Sequence, residues 1–124
     1  MTSEQYYVKA ISVGGFAQCS YFILNEDGSY TQVKSPLQVS PTSTACNFLQ
    51  HPDSVLLLQA AVFKTLPVST NFASYNYAPI SNGSVAVSMP DNRTVTKGVV
   101  LTFSNPDGTQ LFSSSDPEVK NDDT

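Results

Sequence analysis

The segment Ser54–Leu66, Ser-Val-Leu-Leu-Leu-Gln-Ala-Ala-Val-Phe-Lys-Thr-Leu, is the most apolar run in the chain and decides the fold. Between Val55 and Lys64, its polar side chains are those of Gln59 and of Lys64 itself. A segment of this composition has no face that is stable in water. Any fold of this chain must therefore bury the segment at the centre of its core.

Two conformations fit this segment. Its leucines and alanines are good helix formers, Asp53 or Ser54 would cap a helix over residues 54–66, and Pro67 would end it. A helix that is apolar all round needs cover on every side, whereas the neighbouring segments have the patterns of strands, which offer flat faces. We therefore predict a central strand covered on both faces, with the helix as the alternative.

The segments before it alternate in the manner of strands. Tyr6–Val13 and Phe16–Leu24 are rich in aromatic and β-branched residues and flank Gly14-Gly15, a dipeptide typical of tight hairpins. Asn25-Glu26-Asp27-Gly28 predicts a second turn, after which Ser29–Val33 alternates again. These patterns predict three consecutive antiparallel strands.

The remaining strands are shorter. Leu37–Val39 and Cys46–Leu49 lie among prolines and are predicted as edge strands, because proline lacks the N–H that an interior strand donates. Val85–Met89 and Val95–Phe103 alternate, and Asn105-Pro106-Asp107-Gly108 predicts another turn. The predicted fold class is all-β: an antiparallel β-sandwich or jelly-roll-like barrel of about seven to nine short strands with at most one helix.

Charge is sparse in most of the chain and concentrated at its end. Of the 124 residues, 40% are hydrophobic and 13% charged, and the net charge is −4. Acidic residues dominate the last segment, which indicates a solvated tail. We predict a single β-sandwich domain over residues 1–112 and an acidic, flexible C-terminal tail over residues 113–124.

The same composition bears on partners and compartment. A nearly neutral body with a single arginine offers no basic surface for phosphates, so nucleic acid is not predicted as a partner. The sequence shows neither a signal peptide nor a membrane-spanning run. The expected location is the cytoplasm, unless the protein is exported by a signal-independent route. Cys19 is expected to be a buried thiol, and a bridge between Cys19 and Cys46 stays open.

His51, Asp53 and Ser54 include the residue types of a hydrolase triad, but neighbours on one turn diverge rather than converge. His51 is therefore expected to be an exposed loop residue, and no catalytic residue is predicted. One histidine and two separated cysteines do not make a zinc site. Three aspartates occupy predicted turns, where Asp-Gly is the ordinary hairpin dipeptide rather than a calcium signature: Asp27, Asp91 and Asp107. Neither a metal nor a cofactor is predicted.

One segment has the composition of a binding site. Ser69–Gly83 is predicted to be a loop in which aromatic rings stand among amides and hydroxyls, groups that suit a sugar ring or a protein surface. The alternative is that these rings cover the end of the core. The predicted ligand-binding residues are Phe72, Ser74, Tyr75, Asn76, Tyr77 and Asn82.

Together these patterns predict a non-enzymatic binding or interaction module, lectin-like or protein-binding, whose partner is a glycan or a protein surface. The alternative is a structural or assembly subunit, such as a component of a capsid, a sheath or a toxin complex, in which edge strands pair between subunits. Neither the identity of the ligand nor the oligomeric state follows from the sequence.

Overall fold

The computed structural model describes residues 2–66, 75–115 and 117–122. Within these ranges the chain forms eleven strands and no helix. The strands are β1 (Gln5–Val13), β2 (Phe16–Leu24), β3 (Tyr30–Val33), β4 (Leu37–Gln38), β5 (Ala45–Gln50), β6 (Leu57–Leu66), β7 (Asn76–Pro79), β8 (Ser84–Ser88), β9 (Thr96–Ser104), β10 (Leu111–Ser113) and β11 (Glu118–Lys120).

The strands form two sheets, and neither closes into a barrel. The first sheet has the order β3-β2-β1-β5-β8. The second has the order β4-β11-β9-β6-β7, and β10 also pairs with β9. The predicted all-β sandwich is confirmed, but the pairing is not purely antiparallel: β1 pairs with β5, and β4 with β11, in parallel. Such pairs arise because the chain crosses between the sheets before it returns.

The decisive apolar segment is a strand. β6 lies between β9 and β7, so the helical alternative for residues 54–66 is wrong. Its inward residues Leu58, Ala61 and Phe63 are at most 3% exposed. They face residues of β9 in the pairs Leu58–Phe103, Ala61–Leu101 and Phe63–Val99, with a bulge at Gln59. The predicted cover on both faces is only partial, because the outer face of β6 borders an open cleft.

The core lies between the inward faces of the two sheets. The apolar side chains without exposed surface come from both sheets and include Val8, Phe48, Val85, Leu101, Phe103 and Val119. Cys19 and Cys46 are not bridged, and burial raises the pKa of the Cys46 thiol above its usual range.

The predicted edge positions are half correct. β4 is an edge strand, as expected from its neighbouring prolines. β5, which contains Cys46, is not: it lies between β1 and β8. No proline interrupts β5 itself, so its backbone is able to pair on both sides. Of the two predicted edge strands, β4 alone lies at the edge of a sheet, and the other edges of the described sheets are formed by β3, β8 and β7.

Two turns share one hydrogen-bonding scheme. In the β2–β3 turn, Asp27 Oδ1 accepts bonds from the Ser29 N–H at 3.0 Å and from the Ser29 hydroxyl. In the β9–β10 turn, Asp107 Oδ1 accepts the equivalent bonds from Thr109 at 3.2 and 2.7 Å. These side-chain and backbone bonds lower the pKa of both aspartates. The shared Asn-x-Asp-Gly sequence is thus accounted for by turn chemistry.

The prediction of a flexible tail over residues 113–124 is wrong for the described residues 113–115 and 117–122. Ser113 belongs to β10, and β11 pairs with β9 on one side and β4 on the other. Val119 is fully buried, and the fully buried Asn121 ties the end of the chain to the loop before β9. Pro117 is also fully buried, and the buried Ser114 hydroxyl accepts the Leu101 N–H at 2.9 Å, so several contacts hold this acidic segment in the sheet.

Tyr6 joins β4 to the first sheet. Its side chain is 2% exposed, and its hydroxyl donates to the Gln38 carbonyl and accepts the Gln38 N–H at 3.1 Å. Burial raises the pKa of Tyr6 to about 12, since the phenolate would lose its hydration.

This pKa predicts a loss of stability at alkaline pH. The folded-state pKa lies above the ordinary value near 10, so the protonated phenol contributes fully below pH ~10, and the contribution is lost as the pH rises towards 12. Between pH 9 and pH 11, the free energy of unfolding measured in urea should fall less for Tyr6→Phe than for the wild type. For the exposed control Tyr77→Phe, it should fall as much as for the wild type. An identical decline in all three proteins would contradict this account of Tyr6.

Candidate functional site: a cleft on the outer face of the second sheet

The segment predicted as an aromatic loop contains a strand. β7 pairs with β6 in the register Val62–Tyr77 and Phe63–Asn76, so residues 76–79 are not loop. Asn82 and Gly83 follow in a tight turn with φ of 51° and 82°, closed by two hydrogen bonds between Ser81 and Ser84. The chain continues from this turn into β8, so β7 links the two sheets.

The predicted binding residues fall into three groups. Phe72 and Ser74 lie outside the described residues. Asn76 and Asn82 are exposed, and the positive φ of Asn82 assigns it a role in the turn. Tyr75 and Tyr77 are 60% and 66% exposed, so these two rings do not cover the end of the core.

Tyr77 stands at the end of an apolar row on the outer face of the second sheet. It lies opposite Val62 on β6, and Val62 lies opposite Val100 on β9. Directly opposed side chains of adjacent strands lie within contact distance. Val100 is 37% exposed, so part of this row is accessible to a partner.

Tyr75 borders a cleft of about 290 Å³ beside this row. Aliphatic side chains from two strands and the segment before β11 line it: Val62, Leu66, Val100 and Pro117. Gly98 forms part of the lining, and a Cβ atom there would lie 3.2 Å from both methyl carbons of Leu66. A glycine at this position therefore gives Leu66 room to lie over the sheet. We call this site the tyrosine cleft.

Two charged residues line the tyrosine cleft. The Lys64 ammonium nitrogen lies 5.2 Å from the centre of the Tyr75 ring, a cation–π geometry that orients the ring. Lys64 is 9% exposed, whereas Glu118 is an exposed residue. The Glu118 N–H donates to the Ser35 hydroxyl at 2.9 Å, which fixes the backbone of β11 at the cleft. The accessible charge at the cleft is thus negative.

No family model, curated protein or solved structure matches this chain.

Most residues of the tyrosine cleft were missed by the sequence analysis. Val62 and Leu66 belong to the segment predicted to be covered on both faces, so no outer surface was expected there. Pro117 and Glu118 were placed in the flexible tail. The available signal was the pair Val99-Val100 in β9, since consecutive apolar residues in an alternating strand imply that both faces have a role.

The predicted exposure of His51 is wrong. Its side chain is 6% exposed and packs against the rings of Phe22 and Tyr30, with ring centres 4.8 and 4.4 Å away. His51 Nδ1 accepts the Asp53 backbone N–H at 3.0 Å. The Ser54 hydroxyl donates to the Leu56 carbonyl at 2.6 Å and accepts the Ala10 N–H at 3.0 Å. These contacts hold the connection between β5 and β6 against the first sheet.

Candidate metal ligands do not cluster in the described part of the chain. Within residues 2–66, 75–115 and 117–122, no group of three or more His, Cys, Asp or Glu side chains is close enough to hold a metal ion. In the same ranges, no helix meets the length and hydropathy needed to cross a membrane.

Proposed function

We propose that this chain is a non-enzymatic binding module that recognises a partner protein through the outer face of its second sheet. The observation that carries the proposal is the joint exposure of Tyr75 and Tyr77 beside an apolar cleft. Tyrosine rings supply large contact area at low cost in side-chain entropy, and they are enriched where proteins bind each other.

The lining of the cleft favours a protein over a glycan. A sugar ring needs polar partners for its hydroxyl groups, whereas Val62, Leu66 and Val100 contribute aliphatic surface to the cleft. A volume of about 290 Å³ lies at the lower end of the range for small-molecule sites. It suits an apolar side chain that projects from a larger partner.

Binding measurements on tyrosine variants test this proposal. The purified chain is used to select from a displayed library of nine-residue peptides, and the same protein is applied to a glycan array. We expect peptides to be enriched, and we expect Tyr75→Ala and Tyr77→Ala each to weaken their binding about tenfold, since exposed aromatic residues at interfaces are common hot spots.

The matched control is Leu24→Ala, which removes an apolar side chain that is 47% exposed on the first sheet. This control should bind as the wild type does. Binding that none of the three substitutions changes would contradict the site. Enrichment of glycans without peptides would contradict the assignment of a protein partner.

A further inference from the structure

A second apolar cleft adjoins the tyrosine cleft. It has a volume of about 330 Å³ and lies beside the β1–β2 hairpin, with Val13, Phe16, Ala17, Gln18 and Ser115 in its lining. Ser115 also lines the tyrosine cleft, so the two depressions share a wall. We call this second depression the hairpin cleft.

The hairpin cleft is bordered by exposed apolar side chains. Val13 and Phe16 face each other across the hairpin and are 50% and 64% exposed. Gly14 and Gly15, between them, have positive φ, and a Cβ atom on either would meet nothing within 4 Å. The tip of the hairpin thus stands clear of the rest of the described chain. Exposed apolar surface next to a cleft is typical of an interaction site.

The charged residues that line the two clefts are Lys64 and Glu118, of which Lys64 is buried and Glu118 exposed. No charged residue occurs between Lys9 and Glu26, so the hairpin cleft has no charge of its own from β1 or β2. Glu118 is exposed in the tyrosine cleft, and the whole chain carries a net charge of −4. A partner with a basic residue near the tyrosine cleft would therefore be attracted and one with an acidic residue repelled.

From this arrangement we infer that the ligand is an extended peptide segment of a partner protein with two apolar residues and one basic residue. One apolar side chain occupies the tyrosine cleft and the other the hairpin cleft, on either side of Ser115. In an extended segment, alternate side chains point the same way, so the two anchors are separated by an even number of positions. The basic residue lies beside Glu118. This inference rests on the proposed function and names the class of its ligand.

Peptides enriched by the nine-residue library provide the probe. We expect them to share two apolar residues, separated by an even number of positions, and a lysine or arginine. Phe16→Ala and Tyr75→Ala should each weaken the binding of a synthetic enriched peptide about tenfold, while Leu24→Ala should leave it unchanged. Since Phe16 and Tyr75 are exposed, both variants should retain the melting temperature of the wild type within a few degrees.

A charge exchange tests the basic residue separately. Glu118→Lys should weaken the binding of the basic peptide about threefold to tenfold. A peptide with glutamate in place of the basic residue should recover the lost affinity, with this variant only. If the preference for the basic over the acidic peptide does not reverse in Glu118→Lys, the prediction of a basic residue in the ligand is wrong.

The outcomes distinguish this inference from the proposed function. If Tyr75→Ala weakens binding and Phe16→Ala does not, the ligand uses one cleft, so the inference is wrong and the proposed function stands. If neither substitution matters, both fail. Dimerisation that is lost on Phe16→Ala in sedimentation experiments would assign the hairpin cleft to a second copy of this chain and overturn the peptide ligand.

Discussion

Replacing Asn121 with alanine is expected to lower the free energy of unfolding by about 3 kcal/mol. The Asn121 side chain is fully buried, and its Oδ1 accepts the Val95 N–H at 2.7 Å. Its Nδ2 donates to the carbonyls of Pro90 and Arg93 at 2.9 Å each. Alanine would leave these three backbone groups without the partner that the amide supplies, and each buried unpaired group costs about 1–3 kcal/mol. Urea unfolding measures the change.

Asn92→Ala is the matched control for Asn121→Ala, because Asn92 lies in the same loop and is exposed. Its effect should stay within about 0.5 kcal/mol. Equal, small effects of both substitutions would mean that the chain end is detached from the sheet, as the acidic composition first indicated. In that case Glu118 would not line the tyrosine cleft either.

Phe103→Ala should destabilise the protein by about 3–5 kcal/mol. Phe103 has no exposed surface and lies opposite Leu58 at the start of β6, so its removal leaves a cavity between the sheets. Val100→Ala on the same strand removes a smaller, 37% exposed side chain on the outer face and should cost about 1 kcal/mol or less. The losses in free energy of unfolding, measured by thermal and urea unfolding, should therefore differ severalfold between the two variants.

A reversed order of the two effects would contradict the two-layer arrangement, because β9 alternates between the core and the outer face. Thermal unfolding of Phe103→Ala should remain cooperative, since a single cavity leaves the rest of the core in contact. If Phe103→Ala unfolds without a cooperative transition, Phe103 contributes more to the integrity of the core than its described contacts account for.

Local chemistry was enough to predict most strands. The alternation in β1 and β2, the Gly14-Gly15 hairpin and the Asn-x-Asp-Gly turns all follow from interactions between residues close in sequence. β6 was predicted as a strand because its neighbours offered flat faces, and it pairs with β9 and β7. Patterns of this kind need no knowledge of distant contacts.

The elements that were missed depend on distant contacts. β11 is held by Val119 and Asn121, whose partners lie in β4, in β9 and in the loop that precedes β9. Composition averaged over an acidic segment hides two such residues. His51 is buried for the same reason, since Phe22 and Tyr30 come from β2 and β3.

The candidate site shows the same division. Tyr75 and Tyr77 were predicted as binding residues from local composition, and they are exposed, while their role in binding remains a proposal. The cleft beside them is assembled from β6, β9 and the segment around Pro117, which lie far apart in the sequence. Sequence alone predicted the rings but not the surface that they border.

The most direct test of the recognition surface is a titration of the isotope-labelled chain with an enriched peptide, followed by the shifts of its backbone amide signals. We expect the largest changes at Val62, Lys64, Tyr75 and Val100, on the outer face of the second sheet. Changes concentrated instead around Tyr7 and Tyr30 on the first sheet, or no cluster of changes at saturating peptide, would contradict the assignment of this face as the binding surface.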